Sequence, residues 1–144
     1  MSEMVVTKLK FLKGYSFKAK FDLEEVPELI VDEPKPIGES LGPSAPRLLS
    51  AALGYCLSSS LIYCLCKARV NVKDLETTVE TSIARNEQGY QRVKNINVQL
   101  HLDVDEKDKA RVHRCLEIFE NYCTVTQSVR KGIEVKVNVA QSFK

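Results

Sequence analysis

The 144-residue sequence predicts a single α+β domain with the element order ββ(β)αββααβ. Three observations support this fold class. Segments in which apolar and polar residues alternate form two pairs, one on each side of a long charge-free segment. That charge-free segment has the length of a helix. Two shorter helical segments and a last alternating segment complete the chain. A period of two is typical of strands, and a period near 3.6 is typical of helices.

The first half of the chain predicts a hairpin, a loop and a long helix. Residues 1–22 alternate on both sides of Lys13-Gly14, which indicates an N-terminal β-hairpin. Residues 23–44 hold four of the five prolines, so we expect a loop with a short strand at residues 30–32. Ser44 is a good N-cap residue, and the central helix is predicted over residues 45–68.

The second half predicts another hairpin, two helices and a closing strand. Residues 75–104 form the second hairpin around a turn ending at Gly89. Residues 105–131 contain two helices with a break at Cys123, and Gly132 follows as the C-terminal cap. Alternating apolar residues at 133–139 predict a final strand.

Composition and charge exclude several classes of function. The net charge is +2, from 21 basic and 19 acidic side chains spread along the chain. We therefore expect no nucleic-acid partner and no attraction to an anionic membrane. The five cysteines do not resemble a secreted disulfide framework, and the first residues lack an apolar signal-peptide core. These features predict a cytoplasmic protein.

The charge-free segment Leu48–Cys66 has two interpretations. Its 19 residues match the length of a membrane-spanning helix. However, it contains four serines and a glycine, and amphipathic segments surround it. We therefore favour a helix that is apolar on all sides because protein surrounds it, with no membrane partner.

Three of the cysteines indicate packing more than chemistry. Cys115 shares the apolar face of its helix and is predicted to be a core thiol. Cys64 and Cys66 are two positions apart, so they point to roughly opposite sides of a helix. Neither these cysteines nor His101 and His113 have the spacing of zinc ligands, so we expect no metal and no cofactor.

Cys56 and Cys123 are the candidate catalytic residues. Cys123 lies at the predicted N-terminus of a short helix, where unpaired backbone N–H groups favour a negative charge. Cys56 lies near the middle of the central helix and receives no such help from it. Arg47 is about half a helical turn out of phase with Cys56, so an activating cation has to come from another segment or subunit.

Two motifs resemble a known family. The stretch GPSAPRLLSAALGYC, from Gly42 to Cys56, resembles the signature of the osmotically inducible protein C and organic hydroperoxide resistance (OsmC/Ohr) family. YCTVTQSVRKGIEV resembles the segment around that family's second cysteine. The resemblance implies an intertwined homodimer in which long central helices are wrapped by sheets from both chains.

The resemblance also implies an activity. Cys56 would be the peroxidatic thiol that attacks a small hydroperoxide substrate and becomes a sulfenic acid. Cys123 would be the resolving thiol that condenses with it to a disulfide, and a dithiol reductant would reset the site.

The chain departs from the family at the residues that activate the thiol. Family members have a glutamate where this chain has Pro46 or Arg47, and an arginine in the N-terminal hairpin. This chain has no arginine before Arg47. We therefore expect Lys13, beside the hairpin turn, or Arg47 of the partner subunit to approach the sulfur of Cys56 and lower its pKa.

Three functional hypotheses remain at this point. The first is a cysteine-based hydroperoxide reductase. The alternative is a non-enzymatic OsmC-like module that binds a small apolar or thiol-bearing ligand in the same cleft. The third is a structural protein with five inert cysteines. A cation near Cys56 favours the first hypothesis, and a dry apolar pocket favours the second.

Overall fold

A computed structural model describes residues 2–144 and has an α+β architecture with antiparallel sheets. Met1, part of the predicted N-terminal hairpin, lies outside the described residues. The elements are β1 (Thr7–Lys13), β2 (Ser16–Phe21), β3 (Leu29–Val31), α1 (Ala45–Lys67), β4 (Val72–Arg85), β5 (Gln91–Val104), α2 (Lys109–Ile118) and α3 (Thr124–Lys131). The predicted fold class is confirmed, and so is the predicted order as far as α3.

The N-terminal hairpin belongs to a three-stranded sheet with the order β1-β2-β3. Phe11 of β1 lies opposite Phe17 of β2, and their rings meet edge to face with centroids 5.6 Å apart. Gly14 takes a positive φ of 53° in the turn, a conformation that other residues rarely adopt. Cross-strand aromatic pairing thus fixes the register of this hairpin.

The loop after β3 is organised by a buried carboxylate. Asp32 accepts hydrogen bonds from the backbone N–H groups of Glu33, Glu39 and Leu41, at 2.8, 3.1 and 3.2 Å. One side chain therefore satisfies three donors that a loop without ladder bonds would otherwise leave unpaired. This contact holds the proline-containing segment that leads into α1.

Small residues let α1 lie close against β4. The hydroxyl of Ser50 contacts the hydroxyl of Thr81 at 2.5 Å, and that of Ser58 contacts Thr77 at 2.6 Å. Between them, a Cβ added to Gly54 would come within 2.7 Å of a methyl group of Val79. Two of the four serines that lower the hydropathy of this helix are therefore paired with strand threonines.

The main core lies within the second half of α1 and the elements that follow it. Leu57, Leu61 and Leu65 project from α1 onto Cys115 and Phe119, and apolar residues of β5 complete the cluster. Ile96, Val98, Leu100, Leu102 and Val104 are the partly buried residues on one face of β5, as their alternation predicts. Arg111 of α2 pairs with Asp108 and donates to the carbonyl of Ala68 beyond α1.

The described residues form two compact units. The first contains residues 2–51 and 80–97, and the second contains residues 52–79 and 98–144. The boundaries between them cut through α1, β4 and β5. The prediction of a single domain over residues 1–144 stays a prediction.

Several predicted boundaries differ from the structure. Helix α1 ends at Lys67 rather than at residue 68, and the second hairpin begins at Val72 rather than at residue 75. Short 3₁₀ turns at Glu106–Asp108 and Phe119–Tyr122 flank α2, so residues 105–131 contain more than two helical segments. Helix ends often tighten in this way, and a sequence pattern does not resolve it.

The predicted strand at residues 133–139 does not form within the chain. Its apolar residues are 62–79% exposed, and among residues 2–144 it has no paired strand. The alternation gives one apolar face, but a strand exists only when a neighbouring strand completes its hydrogen bonds.

A single chain does not surround α1 on all sides, and the expectation that protein covers this helix completely stays a prediction for an assembly. Tyr55 is 75% exposed and Tyr63 is 49% exposed on this helix. By length and composition alone α1 would be able to cross a membrane, as the core helix of a soluble protein often would, and 39% of its most apolar window is buried.

Candidate active site

Cys56 is presented from the middle of α1 in the second unit. It follows Gly54, whose missing side chain allows the helix to approach β4, and it packs against the core cluster without being fully buried. Its sulfur is therefore partly accessible. Ser59, one turn later, donates to the carbonyl of Cys56 at 3.1 Å, so this serine hydroxyl is engaged with backbone.

Cys123 lies at the junction between the 3₁₀ turn Phe119–Tyr122 and α3. It is fully buried, with a relative exposure of 0%, and its carbonyl accepts the N–H of Gln127 at 3.2 Å. Its thiol and the thiol of Cys56 are within hydrogen-bonding range of each other. Both are free thiols in the structure. The structure therefore brings together the two cysteines that the motifs singled out.

The N-terminus of α3 faces both sulfurs. The N–H of Val125 donates to the Cys56 sulfur at 3.5 Å, and the N–H of Thr126 also acts on both thiols. Backbone N–H groups in the first turn of a helix have no partner within the helix and favour an anion. Cys56 thus receives from α3 the stabilisation that its own helix does not provide.

The two thiols have their pKa values displaced in opposite directions. Burial raises the pKa of Cys56, and the hydrogen bond with Cys123 raises it further, against the lowering effect of the two backbone N–H groups. Burial also raises the pKa of Cys123, but the neighbouring Cys56 thiol, the nearby hydroxyl and backbone N–H of Thr126 and the charge of Arg130 outweigh it, so that this pKa lies below its usual range. The first proton lost from the pair therefore leaves a thiolate that the other thiol stabilises.

Two further side chains of α3 lie near this pair. The hydroxyl of Thr126 is buried, with the residue 6% exposed, and it makes no hydrogen bond among the described residues. Arg130 pairs with Glu120 of the preceding 3₁₀ turn at 2.6 Å. Sequence reasoning missed both groups. Their spacing from Cys123, at i+3 and i+7, was the available signal, because it places all three on one face of a helix.

The predicted activators Lys13 and Arg47 both lie in the first unit. The ammonium group of Lys13 pairs with Glu39 at 3.3 Å, and the guanidinium group of Arg47 donates to the Ser44 hydroxyl at 3.0 Å. These contacts hold the loop and the start of α1. The expectation that either residue activates Cys56 stays a prediction.

The remaining cysteines occupy other positions. Cys64 and Cys115 are buried in the same core cluster, and burial followed by the hydrogen bond with Cys64 raises the pKa of Cys115 to about 11. Cys66 is exposed on α1. Within residues 2–144, no cluster of three histidine, cysteine or acidic side chains is arranged to hold a metal ion.

A cavity of about 320 Å³ lies one turn beyond Cys56 on α1 and next to Cys123 in sequence. Its lining residues are Ser59, Ser60, Tyr63 and Tyr122. The rings of Tyr63 and Tyr122 meet edge to face at 5.5 Å, and the ammonium of Lys67 lies 5.4 Å from the centre of the Tyr63 ring. The cavity thus offers aromatic surface together with hydroxyl groups.

The family follows from a comparison with known proteins. The family model described as OsmC-like protein matches residues 38–138 of this chain. The chain belongs to the OsmC-like family. No curated protein matches its sequence.

Solved structures of OsmC-like proteins share the fold. An OsmC-like protein from Mycoplasma pneumoniae is 15% identical, with a TM-score of 0.75 over 90% of this chain and 89% of that one. An organic hydroperoxide resistance protein OsmC from Legionella pneumophila is 16% identical, with a TM-score of 0.60 over 89% and 90%.

A third structure contains a ligand. A putative organic hydroperoxide resistance protein from Vibrio cholerae, with captopril bound in one of its active sites, is 21% identical. Its TM-score is 0.63 over 90% of this chain and 88% of that one. At these identities the likeness extends to the fold, and activity has to be argued from the site.

Proposed function

We propose that this OsmC-like protein is a cysteine-based hydroperoxide reductase in which Cys56 attacks the peroxide and Cys123 resolves the product to a disulfide. One observation carries the proposal: a partly accessible thiol lies within hydrogen-bonding range of a fully buried one. A substrate reaches only the first sulfur, and the second is already in place for condensation.

The chemistry needs no cofactor. The thiolate sulfur of Cys56 attacks the terminal oxygen of a hydroperoxide, an S–O bond forms, and the O–O bond breaks. The departing alkoxide takes a proton and leaves as an alcohol, so that Cys56 becomes a sulfenic acid. The sulfur of Cys123 then attacks the Cys56 sulfur, a disulfide forms, and the hydroxyl group leaves with a proton as water.

The contact between the sulfurs supports both steps. Deprotonation of either cysteine leaves a thiolate that the other thiol stabilises, and the proton has only to pass between two neighbouring sulfurs. Accessibility then assigns the attack to Cys56, because Cys123 is fully buried. An external dithiol regenerates the pair by two thiol–disulfide exchanges.

We assign a small organic hydroperoxide to the cavity that begins one helical turn from Cys56, although neither cysteine lines it. Tyr63 and Tyr122 provide aromatic walls for an apolar group, and Ser59 and Ser60 provide polar ones. Apolar cavities with a few polar groups are typical of small-molecule sites.

The proposed assembly is a homodimer, as OsmC-like proteins generally form, and its proposed location is the cytoplasm. The exposed apolar residues of α1 and of residues 133–139 support it, because one chain leaves them in water. Removing residues 133–144 is then expected to weaken the dimer, measured by light scattering at several concentrations. A wild-type protein that is monomeric at all of them would contradict this assembly.

The proposed activity is tested by peroxide consumption with a dithiol reductant. We expect Cys56→Ser to abolish turnover. Cys123→Ser is expected to react once and leave a sulfenic acid that a thiol probe traps. Cys66→Ser is the matched control, because Cys66 is an exposed cysteine on the same helix and outside the pair.

Mass spectrometry of the oxidised wild type is expected to find a disulfide between Cys56 and Cys123. Equal peroxide consumption by wild type and Cys56→Ser would contradict the assignment.

One observation favours the alternative function, a non-enzymatic module that binds a small apolar or thiol-bearing ligand. Burial raises the pKa of Cys56, which lowers the fraction of thiolate at this position. The alternative predicts saturable binding of a small thiol compound without peroxide consumption. Turnover that is lost in Cys56→Ser would exclude it.

A further inference from the structure

The buried hydroxyl of Thr126 is without a hydrogen-bond partner among the described residues. Thr126 is more than nine-tenths buried, and its Oγ1 is the only buried side-chain oxygen or nitrogen of residues 2–144 in this condition. Leaving a buried hydroxyl unpaired costs free energy, so such a group indicates a partner that appears in another state. The hydroxyl lies close enough to Cys123 to act on its thiol.

The geometry of α3 directs a cation to the same place. Cys123, Thr126 and Arg130 are spaced i, i+3 and i+7, so they share one face of the helix. Helical side chains lean towards the N-terminus, which directs the guanidinium group of Arg130 back towards Thr126 and the two sulfurs.

Glu120 holds this arginine in position. Its carboxylate pairs with Arg130 at 2.6 Å, and its backbone carbonyl accepts the side-chain amide of Gln127 at 3.1 Å. The pair is about half exposed, so solvent screens part of its charge. We therefore expect Arg130 to contribute less than the buried Thr126.

We propose that Thr126 and Arg130, with Arg130 held by Glu120, bind and stabilise the thiolate of the Cys56–Cys123 pair. This inference rests on the proposed peroxidase for its purpose, although not for its test. In this chain the activating groups come from α3, in place of the arginine and glutamate that the N-terminal segments lack. Thr126 is a catalytic residue in this scheme because its hydroxyl donates to the reacting thiolate once that forms, and Glu120 is a positioning residue.

Few titratable groups act on the two sulfurs. Cys56 comes from α1, Cys123 precedes α3, and Arg130 comes from α3. Glu120 belongs to the 3₁₀ turn and is paired with Arg130. The backbone N–H groups of Val125 and Thr126 complete the set, and they do not titrate.

The test is the pH dependence of alkylation of Cys56, measured cysteine by cysteine with mass spectrometry after brief exposure to iodoacetamide. Thr126→Val removes the hydroxyl at constant shape, and Thr126→Ser keeps it. Thr124→Val is the matched control, because Thr124 is an exposed threonine on the same helix. For the cation, Arg130→Met and Glu120→Gln are compared with Lys131→Met, which removes the neighbouring exposed charge.

We expect Thr126→Val to raise the apparent pKa of the coupled thiol pair, measured at Cys56, by about one. A shift of this size corresponds to losing a hydrogen bond to a charged group. Thr126→Ser restores the wild-type profile. Arg130→Met raises the apparent pKa by less. The difference in apparent pKa between this variant and the wild type shrinks as salt is added. Thr124→Val and Lys131→Met titrate like the wild type.

Identical profiles for wild type, Thr126→Val and Arg130→Met would overturn the inference. A profile that moves in Lys13→Met or Arg47→Met but not in Thr126→Val would also overturn it, in favour of those activators. The readout needs no peroxide. An inactive protein with the expected shifts would therefore refute the peroxidase alone, and an active protein without them would refute the inference alone.

Discussion

Replacing Gly54 by alanine tests how tightly α1 is seated on β4. The new Cβ would lie 2.7 Å from a methyl group of Val79, which is 0.7 Å (3.4 − 2.7) short of the 3.4 Å where ordinary contact begins. The methyl belongs to a short β-branched side chain that has little freedom to move away. The helix or the strand therefore has to shift.

Two effects of opposite sign decide the outcome. Alanine is favoured over glycine inside a helix by about 1 kcal/mol. Overpacking a well-packed contact costs about 1–3 kcal/mol. We expect the second effect to win, so that Gly54→Ala lowers the free energy of unfolding by about 1 kcal/mol, the difference between a cost of about 2 and a gain of about 1.

The assay is urea unfolding followed by circular dichroism at one fixed protein concentration. Val79→Ala removes the obstructing methyl groups, so adding Gly54→Ala to that variant is expected to raise stability by about 1 kcal/mol. Ala52→Gly, at an exposed position of the same helix, measures the propensity term alone. If Gly54→Ala is stabilising in the presence of Val79 as well, the close contact does not exist. Because Cys56 follows two residues later, we also expect Gly54→Ala to slow peroxide consumption.

Two further results are expected. Alkylation of the native protein near neutral pH should label Cys66 and Cys56 before Cys115, because burial raises the pKa of Cys115 to about 11; early labelling of Cys115 would contradict its place in the core. The second concerns Asp32, whose pKa burial raises but the N–H groups of Leu41, Glu39 and Glu33 lower below 3.8. The folded protein then binds fewer protons than the unfolded one, so this contribution to stability is lost as the pH falls below about 4. Asp32→Asn should lower stability at neutral pH and show a smaller decline in acid, measured by urea midpoints across that range, and an equal acid decline in both proteins would refute this account.

The sequence alone determined the elements from β1 to α3 and the two cysteines of the candidate site. Alternation at residues 7–21 and 91–104 predicts strands because side chains of a strand point to opposite faces. A charge-free run ending at Lys67 predicts a buried helix. Both signals are local, because alternation and the absence of charge are each visible within a single segment. The family resemblance drew attention to Cys56 and Cys123, although no local pattern places them in contact.

Only the tertiary structure decided what surrounds those sulfurs. The contact between Cys56 and the N–H of Val125 joins residues 69 positions apart, which no local period encodes. The unpaired hydroxyl of Thr126 is visible only once its neighbours are in place. The predicted closing strand at residues 133–139 also shows that a local pattern does not determine tertiary pairing. Its alternating pattern is clear in the sequence, but a strand depends on hydrogen bonds to another segment. No segment of residues 2–144 pairs with it.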